Sequence, residues 1–192
     1  MDIRSQRTTR TIIACFLDLL EQKSVSQITV TEICQSAQIN RATFYKHYMD
    51  VFHLQESLEE EVLQDLEGFL RDRYFSGVGS YETMMIELLS YAKRYGHKFY
   101  VLCSSNAASD LPARVFQLLY SLAFPILKEK LPNLSEEQAG LLYQYISNGS
   151  GSILRNWLAG ACSLSEENLA KFIMLTSSAA VAAVAKGGDL CA

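Results

Sequence analysis

Apolar residues recur along this chain every three or four positions, and clear alternation of apolar with polar residues is missing, so the pattern predicts helices throughout. Ile12, Ile13, Phe16, Leu19 and Leu20 form the inward stripe of a first helix over about 4–22, which "SVSQIT" breaks. Thr29 stands three residues before Glu32, the spacing of a capping box, in which two side chains satisfy free amides at a helix start. A helix of about two turns follows, with Val30, Ile33, Cys34 and Ala37 on one face. Asn40 suits the N-cap of a third, short helix that turns Phe44 and Tyr48 inward. Asp50 caps a fourth, long helix over about 51–75, whose buried stripe is Leu54, Leu58, Leu66, Phe69 and Leu70. Further helices are expected at about 80–95, 97–104, 111–130, 135–160 and 165–186. Ser80, "DLP" with Pro112 near the first turn, "SEEQ" and "SEEN" supply their starts. Pro125 is expected to kink or split its helix. The chain therefore reads as all-α, about nine helices: a three-helix head over 1–50 and a larger helical body over 51–192, joined by the long fourth helix.

Composition narrows what such a chain does. Its 192 residues, 49% hydrophobic, suffice for a sizeable core. A net charge of −4 argues against coating nucleic acid or membrane over the whole surface. The charge is uneven, however. Residues 1–50 carry six Lys and Arg against five Asp and Glu, and the rest 11 against 16; at the N-terminus Arg4, Arg7 and Arg10 meet only Asp2. The opening "MDIRSQRTTR" lacks the apolar core of a secretory signal. No apolar run, "AAVAAVA" at Ala179 to Ala185 included, approaches the roughly 18–20 residues that span a bilayer. A cytoplasmic protein with no membrane role is expected. Cys15, Cys34, Cys103, Cys162 and Cys191 are scattered without CxxC or His-Cys spacing, so buried thiols are expected and no metal or cofactor. His47, His53 and His97 are dispersed, with no nucleophile in a recognisable turn and no glycine-rich phosphate loop, which speaks against an enzyme.

The short stretch "NRATFYKHYMD" is where donors and rings concentrate. With the tight turn at "SAQI", the second and third helices make a helix-turn-helix arrangement. In that motif the last helix enters the major groove by its N-terminal residues, while neighbouring helix ends hold phosphates. Thr29 and Thr31 sit at the start of the second helix, where hydroxyls and free amides suit an anion. Arg41, Thr43 and Lys46 face outward if Phe44 faces in, and Tyr45 and His47 carry donors on rings able to lie along the sugar-phosphate wall. Arg4, Arg7 and Arg10 are either solvated or close to phosphate. The acidic stretch from Glu56 to Glu61 is expected to be a solvated face directed away from DNA.

"TVTEICQSAQINRATFYKHYMD", extended back through "TIIACFLDLLEQKSVSQIT", resembles the DNA-binding head of the TetR family of bacterial transcription regulators over about residues 7–60. "YFSGVGSYETMMIELLSYA" and "NGSGSILRNWLAGACSLSEENLAKFI" are similar in style to C-terminal regions of such regulators from Gram-positive bacteria. The resemblance implies that Arg41, Ala42, Thr43 and Lys46 face bases of a double-stranded operator, and that Thr29, Thr31, Tyr45 and His47 hold its phosphates. Two positions depart from the pattern. Gln38 stands in the turn where a small residue, often Gly, is common; a left-handed conformation there costs on the order of 1 kcal/mol. Val51 stands where many relatives place a Lys that reaches a phosphate.

The resemblance also implies a homodimer, for which the last two helices are the candidates. Gly149, Gly151 and Gly160 would assist close approach, and Trp157 either anchors that interface or fills the chain's own core. It implies a small-molecule inducer held in the body. Among its aromatic residues, Tyr100 and Phe116 included, the pocket candidates are Tyr91, Tyr95, Phe99, Tyr120, Phe124 and Tyr143, together with Cys103; such stripes are more often core than pocket. The function expected is a sequence-specific DNA-binding transcriptional regulator, a repressor released by its inducer. The alternative is a co-regulator that keeps the fold but works through a protein partner with little or no DNA binding.

Overall fold

The computed structural model describes residues 3–75, 81–103 and 106–186; the helix start expected at Ser80, and Asp2 and Cys191, lie outside them. It contains α1 (Ile3–Gln22), a 3-10 turn (Val25–Gln27), α2 (Val30–Ser36), α3 (Arg41–Tyr45), α4 (Val51–Phe75), α5 (Tyr81–Leu102), α6 (Leu111–Lys130), α7 (Glu136–Leu158) and α8 (Glu166–Lys186), with no strand among the described residues. The helices expected at 80–95 and 97–104 are one, α5, running through Gly96. A glycine inside a helix costs about 1 kcal/mol against alanine, too little to stop one that has a buried face. Gly96 instead marks a close approach: a Cβ there would lie 2.9 Å from Cδ2 of Leu158. Nor does Pro125 split α6, which continues to Lys130. The carbonyl deprived of its donor is that of Ser121, an exposed residue, so the loss falls on the solvent side.

The chain divides into two compact units. The first comprises Met1–Phe69 and His97–Pro112. Ile12, Phe16 and Leu20 of α1, Ile33 of α2, Phe44 of α3, and Leu54 and Leu58 of α4 are fully buried in it, as the helical spacing predicts. The connection between α5 and α6 is bound into this core by polar groups. The Asn106 carbonyl accepts the Val25 amide at 2.9 Å, and its Nδ2 donates to the Leu20 carbonyl at 3.1 Å. That occupies one of the free carbonyls at the end of α1. Gln55 Nε2 donates to Glu59 Oε1 at 2.6 Å and to the Ala107 carbonyl at 3.0 Å. Gln55 and Glu59 are both buried, so the acidic stretch is not solvated throughout. Glu59 stands one turn beyond Gln55 on the inward face, and that amide lets its carboxyl be buried.

The second unit comprises Leu70–Gly96 and Ala113–Ala192. Leu169, Ala170 and Ile173 of α8 pack with Leu89 of α5, edged by Ile153, Leu154 and Trp157 of α7. A second cluster joins Leu131, Leu134, Ala139 and Leu142 with Phe124, Ile146, Val181 and Val184. Glu166 accepts from Ser90 Oγ at 2.6 Å and Lys93 Nζ at 2.9 Å, and those bonds hold its carboxyl below the usual range. Trp157 serves this interior: its Nε1 donates to the Leu164 carbonyl at 2.8 Å, and the Lys93 ammonium lies 5.7 Å from the ring centre. Within the chain, Gly149 makes no close approach, since a Cβ there meets nothing within 4 Å. Gly160 terminates α7 at φ 76°, with its own amide bonded to the Trp157 carbonyl and the Ala161 amide to that of Asn156. This is the Schellman ending.

Opposite the packed stripes, α7 and α8 turn large apolar residues outward. Tyr145 is 73% exposed and Leu175 72%, with Leu141 and Phe172 also exposed. By length and composition alone α8 would cross a membrane, which the short "AAVAAVA" did not suggest. It begins with Glu166 and Glu167, carries Lys171, and buries Leu169, Ala170 and Ile173 in protein. Length and composition alone do not make a membrane span, and only 17% of its apolar 18-residue window is buried in the chain.

Candidate nucleic-acid interface

The helix expected to read DNA, α3, is set by what precedes it. At the start of α2 the Thr29 amide and hydroxyl both donate to Glu32 Oε2 at 2.9 Å, and the Glu32 amide donates back to Thr29 Oγ1 at 3.3 Å. Lys23 Nζ donates to the other carboxylate oxygen at 2.6 Å. The Lys23 bond, followed by the two from Thr29, brings the Glu32 carboxyl down to about 2. Helix α2 ends as α7 does, with the Ile39 amide on the Cys34 carbonyl at 3.0 Å and the Gln38 amide on Gln35 at 3.3 Å. Gln38 occupies the left-handed position at φ 54°. The departure from glycine thus leaves the turn intact and strained.

Asn40 caps α3, its Oδ1 accepting the Thr43 amide at 2.7 Å and the Thr43 hydroxyl at 2.9 Å. Phe44 is fully buried, meeting Tyr48 at 5.9 Å and the edge of Tyr45 at 5.7 Å between ring centres. Burial pushes the Tyr48 phenol up, and the charge of Glu61 adds to that. With Phe44 and Tyr48 turned inward, Arg41, Ala42, Tyr45 and Lys46 come to the surface, Tyr45 at 54% exposure. Arg41 Nη2 donates to Thr31 Oγ1, tying the first residue of α3 to the start of α2. That hydroxyl keeps its own proton for a further acceptor. His47 is half-buried, its Nδ1 3.2 Å from Thr9 Oγ1 on α1.

Beyond α3, Asp50 Oδ1 accepts the His53 amide at 2.8 Å, and His53 Nδ1 accepts that of Met49 at 3.1 Å. Val51, where relatives carry a Lys, is buried. Met49 and Phe52 are 71% and 60% exposed beside the candidate recognition segment. The sequence held a signal for both: Tyr48, Val51 and Leu54 already fill the inward stripe, so Met49 and Phe52 are left outside it. Thr9 carried no such signal, because a contact 38 residues distant has no local pattern.

The residues expected to line an inducer pocket fall into separate groups. Tyr120 and Phe124 stack at 4.5 Å, and Tyr143 meets Tyr120 edge-on at 4.9 Å and Phe116 at 5.4 Å. Tyr91 and Tyr95 pair at 4.7 Å. Phe99 and Cys103 belong to the first unit, the others to the second. Among the described residues no three His, Cys, Asp or Glu side chains come together as metal ligands do.

A TetR-type family model described as "Transcriptional regulator C-terminal region" matches residues 79–178, more than half of the chain. Among solved structures, the chain is similar to a TetR transcriptional regulator from Streptococcus agalactiae 2603V, with a TM-score of 0.64 and 23% identity over 91% of this chain and 95% of that one. It is also similar to the dihydroxyacetone kinase operon activator DhaS, with a TM-score of 0.58 and 20% identity over 92% and 97%. At these identities the likeness concerns the fold. No curated protein matches.

Proposed function

The chain belongs to the TetR family of transcriptional regulators, and from that premise we propose that it reads a double-stranded operator as a homodimer in the cytoplasm and represses until a small molecule releases it. The observation that carries DNA reading is how α3 and the three residues after it divide between core and surface. Phe44 and Tyr48 go into the core, while Arg41, Ala42, Tyr45 and Lys46 stay at the surface behind a capped α2. Arg41, Ala42, Thr43 and Lys46 are assigned to bases, Thr29, Thr31, Tyr45 and His47 to phosphates. Thr43 already donates its hydroxyl to Asn40, so Arg41 and Lys46 carry most of the reading; Thr29 donates both amide and hydroxyl to Glu32, which leaves most of the holding to Thr31, Tyr45 and His47. Dimerisation is supported by the exposed Leu141, Tyr145, Phe172 and Leu175, since paired heads are what two-fold operators require. The Phe116, Tyr120, Phe124 and Tyr143 cluster supports an aromatic-lined inducer site in the body.

The test is selection of duplexes from a randomised pool by the full chain, followed by binding titrations over salt on a selected and a scrambled duplex. Lys46→Ala should relax preference at one or two base pairs, at about 1–3 kcal/mol for a good base contact. Tyr45→Phe should weaken binding similarly on both duplexes. With Val51 in place of a basic residue, few phosphates are neutralised per head, so the salt slope should be shallow. Equal losses for both variants on both duplexes refute the assigned split. The exposed Met49 and Phe52 favour a second reading, a co-regulator docking on protein; it takes over if the wild type enriches no duplex.

A further inference from the structure

We propose that Thr9 is a positioning residue for His47, fixing a proton on Nδ1 of the imidazole so that Nε2 is the nitrogen offered to an operator phosphate and gains a proton from solvent on binding. The inference rests on the DNA-reading function above. Thr9 Oγ1 lies 3.1 Å from the Ser5 carbonyl and 3.2 Å from His47 Nδ1. A hydroxyl has one proton, and a carbonyl can only accept. Both contacts are hydrogen bonds only if Thr9 donates to Ser5 and accepts from Nδ1–H of His47. The other nitrogen, Nε2, has no hydrogen-bond partner among the described residues. A neutral ring with its proton on Nδ1 presents a lone pair at Nε2, which a phosphate oxygen repels. The same ring protonated at Nε2 donates a charge-assisted bond to it.

The charge around the ring matters for the direction of the effect. The elements about it bring Arg4, Arg7 and Arg10 on α1, Lys46 and the Tyr48 ring, 6.3 Å away, on its own segment, and Asp50 and His53 at the start of α4. Asp50 and His53 are engaged with backbone amides. A phosphate beside Nε2 adds a negative charge that favours the protonated ring. Binding therefore takes up a proton, and affinity falls as pH rises from about 6 to about 8, where imidazoles titrate.

Nitrogen-15 spectra of the imidazoles in the free full chain, assigned with His47→Gln, read the tautomer without DNA. Duplexes selected by the wild type then give affinity against pH. We expect the Nδ1–H tautomer in the wild type and its loss in Thr9→Val, which keeps the side-chain shape. Because the bond from Nδ1–H to Thr9 strengthens when the ring becomes charged on binding, Thr9→Val should bind about 3- to 10-fold more weakly. Thr9→Ser should restore both signals, and His47→Gln should remove the pH dependence. An Nε2–H tautomer in the wild type overturns the proposal, as does a pH dependence that survives His47→Gln or an affinity that Thr9→Val leaves unchanged. Failure of the wild type to select any duplex overturns the DNA reading itself, whatever the tautomer.

Discussion

Replacing Gln38 by glycine should stabilise this protein, although it removes a side chain and adds backbone freedom. Gln38 sits at φ 54° as the residue after the C-cap of α2, with its amide on Gln35 and the next amide on Cys34. An L-residue held there costs about 1–2 kcal/mol, because its Cβ crowds the backbone. Glycine relieves that and returns about 0.5–1 kcal/mol through the entropy of the unfolded chain. The net is a gain of about 0.5–1 kcal/mol, which at roughly 2–4 °C per kcal/mol in a chain of this size raises the melting temperature by about 1–4 °C. The protein contains its own control. Gly160 ends α7 by the same two hydrogen bonds at φ 76°, and a Cβ there meets nothing within 4 Å. Gly160→Ala should therefore cost about 1 kcal/mol through conformation alone. Urea denaturation followed by circular dichroism measures both, provided the slope with denaturant is unchanged. A lowered midpoint for Gln38→Gly, or no loss for Gly160→Ala, would show that backbone strain at these turns is not what sets their stability.

Glu32 has a folded carboxyl at about 2 against an ordinary 4.5, so its contribution is complete above pH 4.5 and disappears as pH falls towards 2. Glu32→Gln should be less stable near neutrality and show a flatter loss of stability across that acid window, read by urea midpoints against pH. Gln55→Leu leaves buried Glu59 without its amide donor and should cost about 1–3 kcal/mol; in Gln55→Leu/Glu59→Leu, part of that should return, and an additive double loss would refute the pairing. Leu175→Glu with Phe172→Glu should convert the chain to a monomer in sedimentation while its helix content stays constant; a persistent dimer would place the interface elsewhere.

Much of the head was legible because its signals are local. The Thr29–Glu32 box, the Asn40 and Asp50 caps, and the inward Phe44, Tyr48 and Leu54 each follow from residues within a few positions of one another. What escaped depends on partners far along the chain. The helices expected at 80–95 and 97–104 are one through Gly96, and Leu158, 62 positions later, needs the space that glycine leaves. Glu59 read as solvated because its neighbours are acidic, yet Gln55 is anchored by the carbonyl of Ala107. The aromatic candidates for a pocket share helical spacing with core residues, and spacing does not separate the cluster around Tyr120 from the Tyr91–Tyr95 pair.

The outward apolar face of α7 and α8 has a genetic consequence. That face lies in one compact unit and the reading residues in the other, so a single substitution can disable either alone. In the homodimer proposed above, a chain with a damaged α3 and an intact α8 would still pair with wild-type copies and draw them into dimers that grip only half an operator. Such alleles would be dominant. Alleles that charge Leu175 would be recessive, because their products withdraw from assembly and leave the wild-type chains to one another.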